Sequence, residues 1–110
     1  MKKHEMALNK AKKEFNVKIW GMYEASDAKS FIEEFKKIVS TIQTADYILC
    51  FDSQELKVST RDMVPMLESC FKMYKDLNFK KVIMKAGNNA TLKMQLTRIG
   101  RNVGLNVEVI

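Results

Sequence analysis

Apolar and polar residues alternate with period two along Phe15-Asn16-Val17-Lys18-Ile19-Trp20-Gly21-Met22, so Phe15, Val17 and Ile19 share one side of the chain. That spacing predicts a half-buried β-strand. Ahead of it, Met6-Ala7-Leu8 reads as the start of a short edge strand. The period then lengthens. Phe31, Ile32, Phe35, Ile38, Val39 and Ile42 recur at helical spacing, with Glu33, Glu34, Lys36 and Lys37 on the opposite face. An amphipathic helix with one buried stripe is expected there. Its N-cap falls at Ser26 or Asp27, whose side-chain oxygens accept from the open amides of a first turn.

Residues 46–51 are mostly apolar and are bounded by Asp46 and Asp52. A run of this kind predicts a central strand covered on both sides, followed by a polar loop, Asp52-Ser53-Gln54-Glu55. A second helix carries Met63, Met66, Leu67, Cys70, Phe71 and Tyr74 on one face. Ser59 or Thr60 caps it, and Ser59 with Asp62 resembles a capping box with Asp in place of Glu. Pro65 lacks an amide, so the first turn is irregular or the helix begins late. Lys80-Lys81-Val82-Ile83-Met84-Lys85 predicts another strand, closed by the turn residues Ala86-Gly87-Asn88-Asn89. The third helix turns Leu92, Leu96, Ile99 and Val103 inward, and Gly104 is placed to end it in the left-handed conformation. Leu105 to Ile110 alternate again as a last strand.

Strands separated by helices imply an α/β fold: a mixed, mainly parallel sheet of four to five strands, about three helices and right-handed crossovers. An N-terminal hairpin adds the antiparallel strand. No repeat, low-complexity tract or Pro/Gly-rich linker interrupts the chain, so residues 1–110 are expected to form one domain.

Composition changes this picture little. An apolar share of 46% and a charged share of 29% exclude a disordered chain of low hydrophobicity. No apolar run approaches the ~20 residues of a membrane span. Met1-Lys2-Lys3-His4-Glu5 has no apolar stretch behind it, which predicts no secretory signal and a cytoplasmic location. Cys50 and Cys70 are expected to be buried, reduced thiols.

Charge changes it more. The formal charge is +6, and residues 71–110 hold eight Lys/Arg against two Asp/Glu, while residues 31–70 hold four against seven. The C-terminal excess makes Lys80, Lys81, Lys85, Lys93, Arg98 and Arg101 candidate binders of an anionic ligand or nucleic acid. On the third helix Met94, Arg98 and Arg101 form one stripe, with Lys93 beside it. A nucleic-acid surface wants aromatic residues among its cations, and none occurs after Phe79, so this reading ranks second.

Catalytic chemistry is poorly supplied. His4 is the only histidine and lies in a terminus expected to fray, so a serine or cysteine nucleophile lacks a base. No P-loop, GxGxxG or metal-ligand spacing is present, and no cofactor is implied. Asp52 and Glu55 follow a strand end, where α/β sheets place ligands, but a solvated loop accounts for them more simply. The methionines at 63, 66 and 84 suit core packing. An enzyme is the lowest-ranked reading.

Three stretches resemble the STAS domain of bacterial anti-sigma factor antagonists. Val17-Lys18-Ile19-Trp20-Gly21 leading to Ala25 and Ala28 is similar to that family's strand, glycine and helix opening. Tyr47-Ile48-Leu49-Cys50-Phe51-Asp52 with Leu56 is similar to its central strand and following loop. Val82-Ile83-Met84, the third helix and Gly104-Leu105 with the last strand complete the match, from about Glu5 to Ile110. The resemblance implies a regulatory module that docks an anti-sigma factor or kinase-like protein through the start of the second helix, with Ser53, Ser59, Thr60 and Asp62 near the contact. In the family a serine at that helix start is phosphorylated, within a motif close to Asp-Ser-Ser-Gly. Here Val58-Ser59-Thr60-Arg61-Asp62-Met63 keeps the hydroxyls at Ser59 and Thr60 without the preceding aspartate or following glycine. Ser59 and Thr60 are therefore candidates both for capping alone and for phosphorylation.

Overall fold

The computed structural model describes residues 3–57 and 63–110. Its elements run β1 (His4–Asn9), β2 (Glu14–Met22), α1 (Ala25–Val39), β3 (Ile48–Lys57), α2 (Met63–Asp76), β4 (Lys81–Lys85), α3 (Ala90–Val103) and β5 (Val107–Val109), with a short 3-10 turn at Thr44–Asp46. The five strands form one sheet in the order β1-β2-β3-β4-β5. β1 is antiparallel to β2, and the remaining pairs are parallel. The α/β class, the mixed sheet and the three helices match the expectation from sequence.

The strand order fixes the layering. Each β-α-β connection steps to the adjacent strand in the same direction, and right-handed crossovers that never reverse direction put every helix on one face. Phe15, Val17, Ile19, Leu49, Phe51, Val82 and Met84 are buried on that covered face. Against them pack Phe31, Phe35 and Val39 of α1, Leu67, Cys70, Phe71 and Tyr74 of α2, and Leu92, Leu96 and Ile99 of α3. The centre is aromatic. The Phe35 ring stacks on Phe15 at 5.2 Å and on Phe31 at 5.7 Å, while Tyr74 lies 5.1 Å from Phe51.

Among the described residues no helix lies over the other face, which corrects the expectation that the strand at residues 46–51 is covered on both sides. Ile48 and Cys50 are only half-buried there. Cys50 is thus not a core thiol, whereas Cys70 is. β3 also runs on through Asp52-Ser53-Gln54-Glu55, expected as a loop. An open sheet face makes alternate positions of a strand polar, so polarity alone does not mark the strand's end. Asp52 pairs with Lys18, and beyond a register shift Glu55 pairs with Trp20 and Leu56 with Gly21.

Lys3 and His4, the first described residues, are held, not frayed. His4 pairs with Ile19 in the β1–β2 ladder and is 2% exposed. Its ring meets Phe31 edge-on at 5.6 Å, and its Nε2 contacts the Glu34 carboxylate. Lys3 also ties down the start of α1. Its carbonyl accepts from the Tyr23 hydroxyl at 2.8 Å, and its ammonium donates to Asp27 at 3.0 Å.

α1 starts earlier than expected. Glu24 is the N-cap and Asp27 the third helical residue, where its carboxylate accepts the Glu24 amide at 2.9 Å. That backbone bond, then the Lys3 ammonium, hold the Asp27 carboxyl below its ordinary 3.8. A carboxyl depressed in the folded state stabilises above its unfolded pKa, and that contribution fades as pH falls through the folded value. Urea titrations of the wild type and Asp27→Asn should therefore differ at neutral pH and converge as pH falls through the depressed carboxyl's own range. A gap that stays constant into acid would contradict this role.

α3 is bounded as its sequence predicts. The Asn89 side chain accepts from the Leu92 amide at 3.0 Å, and Gly104 takes the left-handed conformation at φ 76°. α2 carries Pro65 in its first described turn. The side chain of Met63, which the periodicity also places on the inner face, lies outside the described residues.

Candidate functional site

Because β2 to β5 are parallel, their C-terminal ends share one edge of the sheet. The helices α1, α2 and α3 all begin at that edge, each following a parallel strand. In open α/β sheets this is the edge that loops shape for binding. Met22, 45% exposed, closes β2 there, and Ile110, 47% exposed, follows β5. Ile110 is fixed by two backbone bonds of 2.8 Å, one to the Met84 carbonyl and one from the Ala86 amide. In the turn from β4 to α3, Gly87 takes φ 63°, close over the Gln54 side chain of β3.

The chain leaves this edge at Lys57 and returns at Met63. Ser59, Thr60 and Asp62, expected at a partner contact, lie in that interval and outside the described residues. Ser53, expected beside them, is placed elsewhere. It is 2% exposed and turned to the covered face, where its hydroxyl donates to the Lys85 carbonyl at 2.8 Å. A buried hydroxyl with a backbone partner is a structural crosslink between β3 and β4. It has no surface to offer a partner.

The six candidate cations do not form one patch. Lys93, Arg98 and Arg101 share the outer face of α3, around a shallow hollow that also holds Met94, 62% exposed. Lys81 and Lys85 point from β4 to the opposite, helix-free side of the molecule, and Lys81 pairs with Glu108 at 2.9 Å. Lys80 stands at the entrance to β4, its amide bonded to the Tyr47 carbonyl at 3.0 Å. Half of the expected anion face is therefore dispersed, and α3 retains the rest.

The side chains capable of covalent chemistry are placed unfavourably for it. Burial pushes the Cys70 thiol up to about 11, against a hydrogen bond with Tyr74 that lowers it. Partial burial, then the charge of Glu14, raises the Cys50 thiol. The thiolate is the nucleophile, so a raised pKa leaves both thiols weakly reactive at neutral pH. Asp52 accepts from the Gln54 amide at 3.2 Å and from the Gln54 side chain at 3.1 Å, and Glu55 lies 3.7 Å from the Lys18 ammonium. Between α1 and α2, a cavity of about 30 Å³ is lined by Ile19, Tyr23, Ala28, Met66, Cys70 and Tyr74. It is apolar and has room for about one water, so it offers no substrate chamber.

Strand register creates one feature that local sequence spacing does not show. Glu5, Lys18, Asp52 and Lys85 stand side by side across the helix-free face. Period-two alternation placed Lys18 opposite the buried face of its own strand, but only strand pairing could bring these four into one row. Among the described residues, no helix is long and apolar enough to cross a membrane. No protein-family model matches the chain, and no curated protein matches it in sequence.

Proposed function

We propose that this chain is a regulatory protein-binding module resembling an anti-sigma factor antagonist, and that it docks an anti-sigma factor or kinase-like protein through the C-terminal edge of its sheet. The observation that carries the reading is the makeup of that edge. Three helix N-termini open onto it, and two exposed apolar side chains, Met22 and Ile110, flank it. Exposed apolar anchors with a polar surround are what transient partner surfaces use. Ser59, Thr60 and Asp62 belong to the segment that leaves this edge, so they remain the proposed contact, now without Ser53.

Phosphorylation of Ser59 or Thr60 would act by charge. A phosphate adds about −1.5 to −2 charges and finds unpaired amides at a helix start, which changes a docking surface without changing the fold. The experiment is affinity capture from the source cell's lysate at low and high salt, with bound proteins and phosphosites read by mass spectrometry. A sigma-regulating or kinase-like protein should be recovered at both salts by the wild type and lost with Ser59→Asp. Unchanged recovery with Ser59→Asp would remove the switch. Recovery of nucleic acid alone, lost at high salt, would overturn the reading in favour of Lys93, Arg98 and Arg101, since phosphate-dominated binding is steeply salt-dependent.

A further inference from the structure

The helix-free face of the sheet is ruled into rows by strand register. One row is Glu5, Lys18, Asp52 and Lys85, on β1, β2, β3 and β4 in that order. Its charges alternate: negative, positive, negative, positive. Alternation of this kind ordinarily serves pairing within the sheet. Here it does so incompletely. Among the described residues, Glu5 and Lys85 make no ion pair, Asp52 bonds to its own strand through Gln54, and Lys18 reaches instead to Glu55 at 3.7 Å. The next row is uncharged over the same four strands, at Ala7, Asn16, Cys50 and Ile83, with Glu108 continuing it on β5, and these four residues lie in the floor of a shallow hollow of about 290 Å³.

An alternating row of four has a symmetry property. Turned through a two-fold axis that runs along the strands between β2 and β3, it reads positive, negative, positive, negative. Laid over the original row, it sets opposite charges together at every position: Glu5 meets Lys85 of the second copy, and Lys18 meets Asp52. The same operation sets Ala7 over Ile83 and Asn16 over Cys50, which closes an uncharged centre. No like charges face each other in either row. An isologous interface needs a surface complementary to itself under a two-fold axis, and this face meets that condition.

We infer that the helix-free sheet face binds a second copy of this chain, as a two-fold, face-to-face dimer. Two twisted sheets pack this way with strands crossing at about 30°. A face four strands wide at about 4.8 Å per strand and about 20 Å long buries on the order of 1,000 Å² in total. That is the low end of specific interfaces, and with charge pairs in the interface the dimer weakens with salt. The inference is independent of the regulatory reading, which uses the sheet's C-terminal edge.

The test is sedimentation equilibrium of the full chain at low and high salt. The wild type should show a monomer–dimer equilibrium, weakened at least about tenfold by high salt. Lys18→Glu alone and Asp52→Lys alone each put like charges against each other at the two central positions, so each should self-associate at least about tenfold more weakly. Mixed in equal amounts, these two variants are complementary at all four positions and should form a heterodimer. The K18E/D52K double variant should regain the homodimer. Glu5→Lys and Lys85→Glu repeat the logic at the outer positions without touching the Asp52–Gln54 bonds. A wild type that stays monomeric at several hundred micromolar, or single variants that associate as the wild type does, overturns the inference.

Discussion

Phe35→Ala is expected to cost about 3–5 kcal/mol of folding stability, the largest loss from any single truncation in this core. A domain of this size holds about 5–15 kcal/mol in total, so the variant should sit near the edge of folding and lose more than about 10 °C in Tm. The reason is position. Phe35 is fully buried, and its ring meets rings from four segments of the chain. It lies 5.2 Å from Phe15 on β2, 5.7 Å from Phe31 one turn earlier on α1, 5.2 Å from Tyr74 on α2, and 6.2 Å from Phe79 before β4. Each neighbour is anchored to a different element, so none can move into the space without unpacking its own contacts, and the cavity stays largely open. Phe79→Ala removes a ring that is only partly buried and should cost distinctly less. Urea denaturation of both variants checks the ranking. A loss below about 1.5 kcal/mol for Phe35→Ala would mean that the core relaxes around the gap.

The elements were legible where one period ran long enough. Phe31, Phe35 and Val39, or Leu92, Leu96 and Ile99, are buried at the spacing the sequence shows. Gly104 ends α3 with the left-handed geometry its position implies. What failed to show was everything set by neighbours in space. Ile48 and Cys50 make an apolar run, yet they face a side with no helix, because the crossovers all step the same way. Asp52 to Glu55 look like a loop for the same reason: the open face selects polar residues inside a strand. His4 looks like a terminal residue and is instead packed against Phe31, since β1 pairs back along the whole of β2.

The candidate site divides similarly. The resemblance puts Ser53 in a loop beside the docking helix, whereas the extension of β3 carries it into the core. The six cations were grouped by sequence proximity, but β4 and α3 lie on different layers. The charge row of Glu5, Lys18, Asp52 and Lys85 was invisible because its members come from four strands up to eighty residues apart, and no local pattern encodes register between parallel strands.

Gly100→Ala is expected to destabilise the protein by about 1–2 kcal/mol, although the same change in most helices stabilises. Within a helix, alanine gains up to about 1 kcal/mol over glycine. Here a Cβ at position 100 would come within 2.6 Å of Val107 Cγ1 on β5, and forcing a carbon into a packed contact costs about 1–3 kcal/mol. Neither side can yield cheaply. Val107 is β-branched and stiff about its first side-chain bond. α3 cannot step back, because the Leu105 amide bonds the Gly100 carbonyl at 2.9 Å and the Gly104 amide bonds the Arg101 carbonyl at 3.2 Å, which closes the helix directly onto β5. Removing the obstructing methyls isolates the effect. In a Val107→Ala background Gly100→Ala should be neutral or stabilising, so the double-mutant cycle should show a coupling above about 1 kcal/mol. If Gly100→Ala stabilises the otherwise unaltered chain, α3 and β5 do not approach as closely as their packing requires.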